Sequence, residues 1–130
     1  MKQIVFLCCL LFSTFSFASV CPQLDDITQD SEGNWHITKP LPPAAPGASW
    51  STLGQNFEAE NYHILAGMTV IIGTNTVYCM YWAYPSYYDM LYLEQSSPDH
   101  VYAPAPGSHF NAKNRCDATD PADCAFVLKN

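Results

Sequence analysis

Basic residues are scarce in this chain: five Lys and Arg stand against twelve Asp and Glu. A formal charge of −7 over 130 residues is repelled by phosphate backbones and by anionic headgroups. Nucleic acid and membrane surfaces are therefore poor partners. Glycine is also sparse, and none of it forms the loops that cradle phosphates. No long amphipathic helix and no internal repeat can be traced. His36, His63, His100 and His109 are scattered, with no HExxH or His-x-His pair, so neither a metal nor a cofactor is expected. The G-x-S-x-G elbow of serine hydrolases is missing. Ser108 stands beside His109, but sequence adjacency does not make a triad. Glu58 and Glu60 would share a face on a strand, yet nothing nearby builds a cleft around them. Asp117, Asp120 and Asp123 recur every third residue without the calcium-loop pattern, which is ordinary turn chemistry. No catalytic residue is assigned.

What is present begins with an export signal. Lys2 supplies a positive start, Ile4 to Phe17 is apolar, and Ser16 and Ala18 place small residues before a cut at Ser19. The apolar run is shorter than the roughly twenty residues a spanning helix needs, so a retained anchor is the poorer reading. The expected organisation is a signal peptide over 1–18 and a single exported β-domain over 19–130, periplasmic or secreted, with no membrane insertion after cleavage. Removing Lys2 takes the charge from −7 to −8. Cys21, Cys79, Cys116 and Cys124 remain, an even number in an exported chain, which predicts two disulfides. Cys116 and Cys124 flank a short turn-rich segment and are paired with each other, leaving Cys21 for Cys79.

The rest of the chain has β texture. Trp35 to Thr38, Phe57 to Ala66, Met68 to Ile72, Thr76 to Tyr84, Tyr87 to Glu94 and Ala125 to Leu128 carry strand signals. Turns on either side of Thr76–Tyr84 predict an antiparallel meander. Lys39 to Gly47 holds four prolines and is expected to cross the surface in extended form. Ser96 to Arg115 looks like loop. The fold expected is mainly β: a small antiparallel β-sandwich or partly open barrel with a proline-rich crossing segment and two disulfides.

The stretch Val77 to Glu94 contains six tyrosines and a tryptophan. Strand alternation puts Val77, Cys79, Tyr81 and Ala83 on one face and Tyr78, Met80, Trp82 and Tyr84 on the other. A disulfide at Cys79 turns the first face inward, with Leu91, Leu93 and Val70 or Ile71 beside it. The second face would then collect Tyr78, Trp82, Tyr84, Tyr88 and Tyr92, with Met80 and Met90. These rings suit a second core layer under the proline-rich segment somewhat better than an open platform. Left open, they would be the candidate ligand-binding residues, because tyrosine offers rigid contact area for a protein or glycan partner.

Cys21-Pro22, Ile27, Trp35, Trp50, Phe57, Ala59 and Val77 to Tyr81 together form a pattern of Cys-Pro-x4-Ile, Trp, Trp, Phe-x-Ala and Cys-x-Tyr. This resembles a family of small exported bacterial proteins of unknown function. The resemblance runs from Cys21 to Leu93, implies an exported β-domain, agrees with joining Cys21 to Cys79, and brings no catalytic residues. The leading expectation is a non-enzymatic binding module of unknown ligand. A structural or envelope-maintenance protein is the alternative, and a small hydrolase comes third.

Overall fold

The computed structural model describes residues 18–32, 35–55, 64–84 and 90–129, with the backbone alone at 29, 52–55, 64, 83, 84 and 90. Apart from Ala18, the proposed signal peptide lies outside these residues. Among the described residues nine strands follow in order: β1 Ile27–Gln29, β2 Trp35–Ile37, β3 Ser49–Gln55, β4 Ile64–Ile72, β5 Thr76–Tyr84, β6 Met90–Ser96, β7 Val101–Pro104, β8 Arg115–Ala118 and β9 Phe126–Lys129. Five make one antiparallel sheet in the order β3-β6-β5-β4-β8. Two small antiparallel pairs, β1-β2 and β7-β9, supply the opposing layer. The chain is mainly β, and its described strands form no closed barrel.

The centre of the large sheet is the expected meander. β4 is rich in β-branched residues, which suit a pleated, buried surface. Gly73 to Asn75 turn the chain, with Gly73 N–H donating to the Thr76 carbonyl at 2.8 Å. In β5, Val77, Cys79 and Tyr81 are fully buried, as is Leu93 in β6; Leu91 of β6 and Val70 of β4 are buried with them. These residues meet Ile27, Trp35, Tyr102 and Phe126 of the opposing layer in one core.

Both predicted disulfides are present. Cys21 joins Cys79 across a separation of 58 residues, with Cα atoms 5.9 Å apart. Cys116 joins Cys124 across 8 residues. The first ties the start of the domain to the middle strand and turns Cys79 inward. The Tyr81 hydroxyl, two residues further along that face, donates to the Pro22 carbonyl at 2.6 Å. Burial, with a smaller contribution from the charge of Asp26, pushes the Tyr81 phenol far above the ordinary tyrosine range. It therefore remains a donor at any physiological pH.

Several short elements differ from the sequence expectation. Ser96 to Arg115 is not all loop, because β7 lies within it and pairs with β9. β1 follows a 3₁₀ turn at Leu24–Asp26, and β3 precedes the stretch from Phe57 where a strand was expected. Phe57 to His63 lie outside the described residues. β4 runs unbroken from Ile64 to Ile72, joining the end of that stretch to the strand expected from Met68.

Candidate functional site

The register of the large sheet defines its outer face row by row. Tyr78 is opposite Ile71 in β4 and Glu94 in β6. Met80 is opposite Thr69 and Tyr92, and Trp82 is opposite Gly67 and Met90. Ser51 of β3 flanks Glu94, while Arg115 and Asp117 of β8 flank Ile71 and Thr69. Tyr78, Met80, Trp82 and Tyr92 therefore share one face, as predicted, and each is half-buried. The side chain of Tyr84 and the whole of Tyr88 lie outside the described residues.

The proline-rich segment does cross the domain, but it is not where the covered-face reading put it. Ala45 N–H donates to Gln95 Oε1 at 3.3 Å, and the Trp50 indole N–H donates to the Pro42 carbonyl at 2.8 Å. Gln95 pairs with Val77 and Trp50 pairs with Gln95, so both belong to the inner face. Polar satisfaction explains the route. Gln95 is fully buried, and its carbonyl must be hydrogen-bonded there. It accepts from Ala45 and from the Tyr102 hydroxyl at 3.2 Å. Burial pushes the Tyr102 phenol up to about 12. The start of the segment is held by Lys39, which pairs with Asp26 at 2.8 Å. The hydrogen bond to Asp26 and its charge raise the Lys39 pKa.

The outer rings are set differently from one another. Trp82 stands opposite Gly67, and its indole lies over that glycine. A Cβ built on Gly67 would come 2.8 Å from Cε2 and Cη2 of the ring, and nearer still to Cζ2. The absent side chain lets a large ring lie against the sheet, the arrangement known as aromatic rescue of a glycine. Trp82 is therefore partly structural.

The β8 border of the face is fastened by Asp117. Its carboxylate accepts from the Thr69 hydroxyl at 2.5 Å and from the Arg115 guanidinium at 3.2–3.3 Å. The Thr69 hydrogen bond, aided by Arg115, lowers its pKa. A depressed carboxylate stabilises the fold above its unfolded pKa and loses that contribution as pH falls through the folded value. The β4–β8 clip is thus complete at neutral pH and weakens in acid.

The other candidates disperse. Asp120 Oδ1 accepts from Ala122 N–H and caps a 3₁₀ turn, which separates its work from that of Asp117. The Ser108 hydroxyl donates to the Ala105 carbonyl at 2.6 Å, closing a turn rather than meeting a base. Glu58 and Glu60 lie outside the described residues. A cavity of about 330 Å³ between Ala18–Val20 and Pro42–Pro46 is mostly apolar. No family model matches this chain, and neither a curated protein nor a solved structure does.

Sequence reasoning missed the role of Gln95, although a signal was available. Leu91, Leu93 and Gln95 share one strand parity, so the glutamine had to point into the core with them.

Proposed function

We propose that this chain is an exported, non-enzymatic binding module that contacts a partner through the outer aromatic face of its large sheet. One observation carries the reading. Tyr78, Met80, Trp82 and Tyr92 are half-buried on that face, while the proline-rich segment and the opposing layer pack on the other. The two disulfides fit an oxidising, exported environment. No described helix is long and apolar enough to cross a membrane. The resemblance to small exported bacterial proteins points the same way, to the periplasm or the exterior.

The contact of Trp82 with Gly67 favours the second reading, an envelope-maintenance protein whose rings serve only the fold. Tyr78→Thr separates the two, because threonine retains strand propensity while removing the ring. The immobilised mature domain should capture a partner from the envelope fraction or culture supernatant. The variant should keep its thermal midpoint within a few degrees and lose that capture. Unchanged capture, or a variant that unfolds, would favour the structural reading.

A further inference from the structure

Among the described residues, the half-buried carboxylate of Glu94 on the outer face has no counter-charge paired with it. Glu94 faces Tyr78 on one side and Ser51 on the other. Tyr92 and Ser96 precede and follow it on the same face of β6. Among the described residues Glu94 forms no ion pair. The basic residue in its row is Arg115, two strands beyond Tyr78, and it is engaged by Asp117. Lys39 is likewise taken, by Asp26.

A half-buried carboxylate opposite a tyrosine offers a cation an anionic partner. Tyrosine faces attract cations as well, through the ring quadrupole. Carboxylate and rings therefore favour the same kind of ligand group. Neutral sugars would use the rings and leave the charge unanswered, and anionic glycans would be repelled. A net charge near −8 after signal removal would also steer basic molecules towards the domain.

We propose that Glu94, with Tyr78 and Tyr92, receives a lysine or arginine side chain presented by a basic protein partner. This rests on the outer face being a contact surface and names the chemistry of what it contacts. Ser51, on the neighbouring edge strand, adds a hydroxyl at the border of the site. Trp82 lies one row further from Glu94 than Met80 does, so it extends the apolar floor rather than holding the charge.

The test is a titration of the ¹⁵N-labelled, oxidised mature domain, followed by amide chemical shifts. The probes are acetyl-Ala-Arg-Ala-amide, its Gln counterpart and maltotriose. The arginine peptide should shift the amides of Tyr78, Tyr92 and Glu94, more strongly than the glutamine peptide and less at high salt. Glu94→Gln, with an unchanged thermal midpoint, should weaken that binding about fivefold or more. Equal binding of both peptides, no effect of Glu94→Gln, or no shifts at this face would overturn the assignment. Shifts there from maltotriose alone would also overturn it while leaving the face a contact surface. Failure of the face itself would appear separately, as capture that survives Tyr78→Thr.

Discussion

Replacing Cys21 and Cys79 together with alanine should lower the thermal midpoint of the oxidised domain by about 10–20 °C, the largest effect of any substitution considered. The separation of 58 residues closes a long loop, and the chain-entropy relation gives roughly 4 kcal/mol for it. That is a large share of the roughly 5–15 kcal/mol by which domains are stable. Both cysteines are fully buried, so the substitution also leaves poorly filled space at the centre of the core. The same replacement at Cys116 and Cys124, which close only 8 residues, should cost less, about 2–3 kcal/mol. Circular-dichroism melts of the two double variants would check the order. A larger loss from the short bridge would contradict the central position given to the long one.

Gly67→Ala should be destabilising by about 1–3 kcal/mol, the range of core overpacking. The sign is informative, because alanine in a strand is normally better than glycine by roughly 0.5–1 kcal/mol. Here the new methyl would meet the indole of Trp82, forcing the ring off the sheet or the strands apart. A double-mutant cycle isolates the cause. In a Trp82→Thr background the obstacle is gone, and Gly67→Ala should become neutral or slightly stabilising. Denaturant unfolding of the four proteins supplies the measurement. A cost that persists without the indole would show that the glycine is required for another reason.

The Gly67 contact also bears on what can be read in advance. Trp82 was legible as an outer-face ring from alternation alone. That it leans on a glycine across the ladder depends on register, which alternation does not specify, and the register shifts between Leu65 and Gly67. The inner face was legible because a buried disulfide at Cys79 fixes the parity of β5. Leu91 and Leu93 then followed from their own alternation. β7 was hidden for the opposite reason. Val101–Pro104 ends in proline, sits among loop signals, and exists as a strand by pairing with β9 far along the chain.

The side taken by the proline-rich segment was decided by a polar residue. Gln95 is fully buried, and Ala45 N–H and the Tyr102 hydroxyl satisfy its carbonyl. Composition alone offers no means of choosing between the two faces, since prolines pack well on aromatics of either. The buried carbonyl of Gln95 favours this side, because an unmet acceptor in a core costs about 1–3 kcal/mol. With Pro42 and Ala45 held on that side, the proline-rich segment lies against the inner face rather than over Tyr78 and its neighbours.

Tyrosine nitration followed by peptide mass mapping examines this division most directly. Tyr78 and Tyr81 are three residues apart on one strand and point to opposite sides. In the folded, oxidised domain, tetranitromethane should modify Tyr78 readily and spare Tyr81 until the protein is unfolded. Comparable modification of both, or protection of Tyr78 with Tyr81 reactive, would contradict a sheet with one buried face and one face turned outward.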